Sequence, residues 1–390
     1  MNILLVIADL GLGGAQQVVI NLANEFVRQS HRVWIFDIEP QIRSKGMIER
    51  LDEKVHLISK DYNNIKLSFY EKVLDFILLK LKIKTNNSKL LFQKHENNLK
   101  KVVSENKISY VSSHVCWADF YVLQKLKPLH KSWIITLHAS YNNLLENKDN
   151  LSKYGQLTKN TIITAKKIIN INDEGISFLE KELNIHIVNS KKIHNGCPEQ
   201  LISNQVTRKS LNFKSTDFII ICASRAIAEK GWYELCDAVL KFKNENIKLI
   251  FAGDGEILNE IKEKYSDHKS IIFLGFQNNI LDLINLSNIV CLPSYSEALP
   301  TILIEAIFLN KPILATNVGE VHNIVQNNLG KCGVLVKESK GELLVGEIYK
   351  GLSSYINNKV DLDEKAFEKA RDLFSLENMA LKYLNYLNEK

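Results

Sequence analysis

Apolar residues occur along this chain in short β-branched runs that alternate with longer stretches of helical periodicity. This alternation is typical of parallel α/β sheets, whose strands are buried on both faces. In the first half, the predicted strands are residues 3–7, 33–36, 55–58, 110–113, 133–137, 168–171 and 192–194. In the second half, they are residues 218–223, 248–252, 271–274, 289–292, 313–315 and 334–336. The pattern predicts an α/β protein with two doubly wound, Rossmann-like units.

A turn signal separates the two halves. Asn195 and Gly196 precede Pro198 and a polar stretch over 204–215. A chain of 390 residues also exceeds the size at which a single core stops growing. We predict a first domain over 1–198, a second over 199–370, and a C-terminal helix over 371–390 that packs back toward the first domain. Because ligands of open α/β sheets bind beyond the carboxyl ends of the strands, we expect the site in a cleft between two facing domains.

Composition narrows the class of protein. No apolar run approaches the roughly 18 residues that a membrane span needs. The apolar start of the chain lacks a basic lead-in, which favours a buried strand over a secretory signal. The six cysteines form no Cys-x-x-Cys pair, and Asp361 and Asp363 are interpreted as helix caps. We therefore expect a cytoplasmic protein with no metal and no cofactor.

The net charge of +6 is concentrated in residues 60–107, which hold eleven Lys against five acidic residues, interleaved with apolar ones. Two interpretations stay open. The stretch binds an anionic membrane surface or acceptor, which would place the protein on the cytoplasmic face of the inner membrane, or it is a solvated helix face. No nucleic-acid-binding motif accompanies the charge, so a nucleic acid partner is not expected.

A glycine-rich loop with Gly13 and Gly14 follows the first strand and precedes a helix, where main-chain amides can approach a phosphate. Dinucleotide dehydrogenases share this feature, and Asp37 ends the second strand where a ribose-binding acid would stand. However, Gln16 occupies the third position of the G-x-G-x-x-G spacing. An NAD-dependent oxidoreductase remains an alternative.

Two cations, Arg225 and Lys230, lie five residues apart on a strand-to-helix loop of the second half. Placed there they can converge on a diphosphate beside a helix N-terminus. Solvation of both side chains is the competing interpretation.

A predicted helix opens at Pro300 and Thr301, and Glu305 is the one residue over 302–309 that is not apolar. A buried carboxylate needs a cation or hydrogen-bond donors. Ribose hydroxyls or an internal salt bridge would satisfy it. Glu297, in the loop before the helix, can reach the next part of the same ligand.

In combination, these motifs resemble the retaining GT-B glycosyltransferases of glycosyltransferase family 4. The resemblance rests on Gly-Gly-Ala at 13–15, Thr-Leu-His at 136–138, Ser-Arg at 224–225, Lys-Gly at 230–231, Gly-Asp-Gly at 253–255 and the Glu-x7-Glu pair at 297 and 305. It implies that Arg225 and Lys230 hold the donor diphosphate, Glu305 the ribose and Glu297 the donor sugar, with the loop after Gly275 near the base. The family often has Gly-Gly-x-x-Glu after the helix of Glu305, whereas this chain has Gly319-Glu320-Val321-His322-Asn323, so no role of the family's usual Glu is carried over.

The resemblance also implies that His138 lines the sugar and acceptor side and is catalytic together with Glu297. The donor-binding set is Gly13, Gly14, Arg225, Lys230, Leu299, Thr301 and Glu305. The implied reaction is retaining transfer from a nucleoside diphosphate sugar, with UDP favoured, to a saccharide or polyprenyl-linked saccharide in surface polysaccharide synthesis. A nucleotide-sugar epimerase of the same fold remains an alternative.

Overall fold

The computed structural model describes residues 1–60, 87–127, 132–138, 140–198, 202–297, 299–327, 330–337 and 339–389. Residues 61–86 of the basic stretch 60–107, for which membrane binding is predicted, lie outside these ranges. The chain divides into one unit of Met1–Ile193 with Met379–Lys390 and a second unit of His194–Asn378. The division falls slightly before the predicted boundary at 198, and residues 371–378 lie in the second unit rather than with the C-terminal segment.

The first unit is built on a parallel sheet with the strand order β3-β2-β1-β4-β5-β6-β7. Its strands are β1 (Asn2–Ile7), β2 (Arg32–Asp37), β3 (His56–Leu57), β4 (Tyr110–His114), β5 (Trp133–Leu137), β6 (Lys167–Asn170) and β7 (Ser190–Lys192). The strand order reverses between β1 and β4, which is where doubly wound sheets bind ligands.

Helices connect these strands in the described ranges. They are α1 (Gly14–Arg28), α2 (Lys45–Ile48), α3 (Asn87–Glu105), α4 (Cys116–Lys125), α5 (Ser140–Leu145), α6 (Lys148–Thr164) and α7 (Asp173–Leu183). Polar side chains cap the N-termini of several of these helices. Asn147 and Asn172, for example, accept hydrogen bonds from main-chain amides of the first turns of α6 and α7.

The second unit repeats the architecture with a parallel sheet of order β10-β9-β8-β11-β12-β15 and a two-stranded antiparallel ribbon. The strands are β8 (Phe218–Ala223), β9 (Ile247–Ala252), β10 (Ile271–Phe273), β11 (Ile289–Leu292), β12 (Ile313–Thr316), β13 (Gln326–Asn327), β14 (Gly330–Lys331) and β15 (Gly333–Val336). The helices are α8 (Trp232–Leu240), α9 (Leu258–Lys264), α10 (Ile280–Leu286), α11 (Thr301–Phe308), α12 (Val321–Val325), α13 (Gly341–Ile356) and α14 (Glu364–Leu373).

The central strand β8 shows why its run is apolar throughout. Ile219 and Ile221 pack into the core on one face of the sheet, and Ile220 and Cys222 pack into the core on the other. Because successive side chains point to opposite faces, a strand covered on both sides must be apolar at every position.

The last helix, α15 (Leu376–Asn388), contributes Met379 onward to the first unit. Tyr383 is buried there and packs edge-on against Phe26 at a centroid distance of 6.4 Å. The ammonium of Lys167 donates hydrogen bonds to the main-chain carbonyls of Tyr386 and Glu389, the latter at 2.6 Å. A cation at these orphan carbonyls stabilises the end of a helix.

The predicted strands all occur, with small shifts at their ends. The largest shift is at β7, which precedes its predicted position by two residues because this polar edge strand pairs with β6 through Ser190 and Lys192. Asp363 is a helix cap, as predicted, and accepts a hydrogen bond from the amide of Lys365 at the start of α14. Among the helices in the described ranges, none is both long enough and apolar enough to cross a bilayer.

Candidate functional site

A cavity of about 350 Å³ opens at the carboxyl ends of β8, β9 and β10 in the second unit, beside the start of α11. Its walls are the last residues of β8 and β9, the loops that follow the three strands, the first residue of α10 and the first two turns of α11. They are Ala223, Ser224, Arg225, Ala252, Gly253, Asp254, Phe276, Gln277, Ile280, Thr301, Ile302 and Glu305. The volume falls in the range of small-molecule sites.

Close backbone packing ties the first two walls together. A Cβ on Gly253 would lie 1.8 Å from the carbonyl oxygen of Ser224, so no side chain fits there. The amide of Ala226 donates to the carbonyl of Asp254 at 2.9 Å, and the indole of Trp232 donates to the Ser224 hydroxyl at 2.8 Å. The loops after β8 and β9 therefore form one rigid wall.

Arg225 leaves this wall as an exposed side chain that borders the cavity. Its guanidinium forms no ion pair with any residue of the described ranges. Five donors in a planar fork are thus available to an anionic ligand.

Lys230 is held differently. Its ammonium lies 2.7 Å from the Glu297 carboxylate, and both side chains are nearly buried. The Ser294 hydroxyl donates to the same carboxylate oxygen at 2.7 Å. Gly231 has a φ of 65° and no room for a Cβ against the carbonyl of Pro293, so the turn packs tightly on the loop after β11. Lys230 and Glu297 thus form an ion pair, although the family resemblance assigns Lys230 to the diphosphate and Glu297 to the sugar of the donor.

Glu305 lies in the wall of the cavity on α11, and its side chain is partly buried. Burial raises the pKa of its carboxyl from 4.5 to about 7. Within the described residues the carboxylate has neither a cation nor a hydrogen-bond donor, so the internal salt bridge considered from the sequence is not observed there. An unpaired carboxylate in a cavity wall needs donors from a ligand.

The neighbouring predicted residues separate into two kinds. Thr301 is exposed at the first position of α11 and lines the cavity. The side chain of Leu299 instead packs into the core of the second unit. Phe276, which is 68% exposed, and Gln277 line the same cavity in the loop after Gly275.

In the first unit, His138 follows β5 and its Nε2 lies 3.0 Å from Nδ1 of His114, the last residue of β4. Burial lowers the pKa of His138 to about 4. Burial and the neighbouring His138 hold the pKa of His114 well below its usual range. The sequence singled out His138 and missed His114 as its partner. The parallel pairing of β4 with β5, which sets His114 opposite Thr136, supplies the signal.

The glycine-rich loop of the first unit is closed by Asp9, whose carboxylate accepts hydrogen bonds from the Gly11 amide and the Gln16 side chain. Helix α1 begins at Gly14, and a Cβ added there would meet nothing within 4 Å. Open space therefore borders Gly14, whereas a Cβ at Gly13 would lie 2.2 Å from the side-chain oxygen of Gln16.

The Asp37 carboxylate is paired within the protein and is not available to bind a ribose. Its carboxylate binds Arg43 through two hydrogen bonds of 2.7 Å, and both side chains are buried. His95 contacts the Asp37 carbonyl at 2.7 Å. The acidic residue that suggested a dinucleotide site thus has a structural partner, which argues against the oxidoreductase alternative.

Comparison with known proteins relates the second unit to a family. Residues 203–371 match the model described as glycosyl transferases group 1. An uncharacterized glycosyltransferase of Haemophilus influenzae is 24% identical over 89% of this chain and 87% of its own. The UDP-Gal:alpha-D-GlcNAc-diphosphoundecaprenol alpha-1,3-galactosyltransferase of Escherichia coli is 23% identical over 41% of this chain and 45% of its own. Matches at 31% identity span about three tenths of the relatives' lengths.

A solved structure matches over the full length. The crystal structure of Anabaena Alr3699/HepE in complex with UDP has a TM-score of 0.70 at 16% identity and covers 99% of both chains. Together with the two parallel sheets and their strand orders, this likeness shows the GT-B fold. The fold and the family match in the second unit support a glycosyltransferase role.

Proposed function

We propose that the protein is a glycosyltransferase that moves a sugar from a nucleoside diphosphate sugar, with UDP as the favoured nucleotide, to a saccharide or polyprenyl-linked saccharide of a surface polysaccharide. The proposal includes retention of the anomeric configuration. One observation carries the donor site: the Glu305 carboxylate is unpaired within the described residues and lies in the wall of the same cavity as Arg225.

The cavity supplies groups that match the successive parts of a nucleotide. Glu305 accepts hydrogen bonds from the ribose hydroxyls, and Arg225 binds the diphosphate. The exposed ring of Phe276 and the amide of Gln277 border the space for the base. Thr301 opens α11 toward the cavity, where the helix N-terminus favours negative charge. Of the remaining donor residues, Leu299 contributes through its main chain, since its side chain is in the core.

Cleavage of the bond from the anomeric carbon to phosphate leaves negative charge on the diphosphate. At about 4 Å and an effective dielectric near 20, one cation stabilises such a charge by about 4 kcal/mol. Arg225 and Lys230 supply this charge in the proposed mechanism, and Glu297 orients Lys230 and the transferred sugar. Gly13 and Gly14 offer main-chain amides, and His138 a ring nitrogen, to the sugar substrates.

The choice of substrates is supported by what the similar proteins bind. The HepE structure contains UDP, and the name of the E. coli relative specifies a UDP-sugar donor and a diphosphoundecaprenol acceptor. Docking on an anionic membrane through residues 60–107 would serve such an acceptor and stays a prediction, since residues 61–86 lie outside the described part of the chain.

A thermal-shift panel of UDP, UDP-glucose, GDP-mannose and ADP-glucose tests the donor site. A ligand at 100 times its Kd should stabilise the fold by about 2.7 kcal/mol. We expect UDP and UDP-glucose to raise the melting temperature of the parent and of Lys243→Ala, an exposed cation as control. The shift should be lost in Arg225→Ala. No shift with any nucleotide, or an undiminished shift in Arg225→Ala, contradicts the site.

Turnover distinguishes the reaction classes. Release of UDP that requires an added acceptor is expected of a transferase, whereas conversion of the nucleotide sugar without acceptor would indicate an epimerase. The anomeric configuration of the product, measured by proton NMR, tests retention, and an inverted product would refute that part of the proposal.

A further inference from the structure

Three side chains at the carboxyl ends of β4 and β5 form a continuous hydrogen-bonded chain. The Ser112 hydroxyl lies 3.2 Å from Nε2 of His114, and Nδ1 of His114 lies 3.0 Å from Nε2 of His138. The two imidazole rings are stacked with centroids 5.3 Å apart. Ser112 and His114 are buried, so their hydrogen bonds must be made within the protein.

Two proton arrangements are compatible with these distances. In the first, Ser112 donates to Nε2 of His114, and His114 donates its Nδ1–H to Nε2 of His138. In the second, both imidazoles donate in the opposite direction, from His138 through His114 to the oxygen of Ser112. Each arrangement fixes a different tautomer of His138, because Nε2 is an acceptor in the first and a donor in the second.

The hydroxyl hydrogen of Ser112 decides between them. In the second arrangement this buried hydrogen has no acceptor among the described residues, whereas in the first the hydrogen without an acceptor there is the Nδ1–H of His138, whose side chain is only partly buried. An unpaired buried donor carries a desolvation cost, which disfavours the second arrangement. The Ser112 hydroxyl therefore favours the first arrangement, in which His138 carries its proton on Nδ1.

Both imidazoles are neutral near neutral pH. Burial is the main cause for each, lowering the pKa of His138 to about 4 and that of His114 well below its usual range. Protonation of both rings at once would place two N–H donors opposite each other.

The end of β4 is held in place from the other face of the sheet. Ser113 contacts the Asp119 carboxylate and accepts a hydrogen bond from the Trp133 indole at 2.7 Å, and Tyr141 donates to Asp119 at 2.8 Å. The next residue, Val115, has a φ of 70°, a conformation that β-branched residues rarely adopt. Such backbone conformations persist where surrounding contacts hold them, and they cluster at functional sites.

We propose that His114 is a positioning residue that holds His138 in the Nδ1–H tautomer, so that His138 presents a hydrogen-bond donor, rather than a base, to an oxygen of the sugar substrate. The hydrogen bond from His138 to a substrate oxygen rests on the proposed function, whereas the Nδ1–H tautomer of His138 does not. In the reaction, His138 then stabilises a sugar hydroxyl or a developing negative charge and takes up no proton.

Nitrogen NMR of protein labelled in the histidine rings tests the tautomer without any substrate. The His138 signals are assigned by their absence in His138→Gln. At about pH 7 the parent should show a protonated Nδ1 and an unprotonated Nε2 for His138. A protonated Nε2, or a charged ring, in the parent overturns the proposal. This arm depends on no substitution of His114 and therefore on no variant that fails to fold.

Two variants test the role of His114 in setting the tautomer. His114→Ala removes the donor, and His138 should shift toward the Nε2–H tautomer that free histidine prefers. His114→Asp places an acceptor there and should move the proton to Nε2 outright. The control His268→Ala removes an exposed histidine of the second unit and should leave the His138 signals unchanged. An unchanged His138 tautomer in His114→Asp overturns the positioning role.

Kinetics with the active donor supply the second readout. His114→Ala should lower kcat/KM by at least about fivefold, the value of one hydrogen bond. In a His138→Ala background the same substitution should have no further effect, because His114 acts through His138. Equal effects in both backgrounds would contradict the proposal. If the parent turns over no nucleotide sugar, the proposed function fails while the NMR result stands on its own.

Discussion

Replacing Glu305 by Gln should weaken donor binding and stabilise the fold, and both changes have the same physical cause. Burial raises the pKa of this carboxyl from 4.5 to about 7 because the ionised form is poorly solvated in the cavity wall. The folded-state pKa lies above the unfolded value, so the stability that the group contributes is present below about pH 4 and is lost as pH rises through 7. At about pH 8 the ionised carboxylate destabilises the fold by at most about 3 kcal/mol, an upper limit because the side chain is partly exposed.

Glu305→Gln keeps the volume of the side chain and removes this charge. The variant should therefore be more stable than the parent at about pH 8, by up to about 3 kcal/mol, and similar to it near pH 4. A structural ion pair predicts the opposite sign, because removal of one partner of a buried pair destabilises by about 3–5 kcal/mol. The direction of the change in urea unfolding at about pH 8 thus separates the two roles.

Binding of UDP-glucose should change in the opposite direction. A hydrogen bond to a charged acceptor contributes about 1.5–3 kcal/mol, so Glu305→Gln should raise the Kd by about tenfold or more at pH 8. For the parent, the Kd should be about tenfold higher at pH 6 than at pH 8, since only the ionised carboxylate accepts from both ribose hydroxyls. Both phosphates of UDP-glucose are diesters and do not titrate in this range.

Calorimetric titrations and urea unfolding of the parent, Glu305→Gln and Glu342→Gln provide the comparison. Glu342 is an exposed carboxylate of the second unit and should show neither effect when replaced. A Glu305→Gln variant that is less stable than the parent at about pH 8, or that binds UDP-glucose with an unchanged Kd, would refute the reasoning.

Two further predictions concern polar clusters of the second unit. Burial alone would raise the pKa of the Asp282 carboxyl. The carboxylate, however, accepts hydrogen bonds from the hydroxyl of Ser203 and from main-chain amides including that of Val206, and these lower its pKa to about 2. Asp282→Asn should therefore lose about 2 kcal/mol of stability above pH 4, a difference that vanishes as pH falls toward 2, and urea unfolding that shows equal stabilities at neutral pH would contradict this. In steady-state kinetics, Lys230→Ala should lower kcat by about 100-fold and Glu297→Gln should mainly lower kcat, with a combined effect below the product of the two because the side chains are in contact. Independent, multiplicative effects would show that the contact does not couple them.

The strands were predictable because their burial on two faces demands unbroken apolar runs. β8 and β11 occur over the predicted residues for this reason. The strands that the sequence pattern missed or displaced are those that are not buried on two faces. The antiparallel ribbon of β13 and β14 is short and polar, so neither length nor hydrophobicity marks it in the sequence. β7 is an edge strand whose polar residues do not have the apolar pattern of a buried strand. The nearby apolar residue Ile193 therefore placed the predicted strand two residues too late.

Residues that line the cavity could be singled out one at a time from the sequence, whereas contacts could not. Glu305 is the charged residue of an otherwise apolar helix and Arg225 follows a strand; both line the cavity, and their roles stay predictions. The contact between Lys230 and Glu297 joins residues 67 positions apart, and only the packing of the loop after β8 on that after β11 creates it. Leu299 illustrates a different limit, since its motif position predicts a binding role but its side chain packs in the core.

The two cations assigned to the diphosphate are not equivalent, because one is already neutralised. Arg225 has no anionic partner within the described residues and offers its full charge to a bound donor. The ammonium of Lys230 is paired with the Glu297 carboxylate, whose negative charge offsets most of the positive charge of Lys230 until a bound anion also contacts the ammonium. An interaction that grows only as the leaving phosphate gains charge accelerates the reaction, whereas one present from the start strengthens binding. We therefore expect Arg225 and Glu305 to set donor affinity, and the pair of Lys230 and Glu297 to set the rate of transfer.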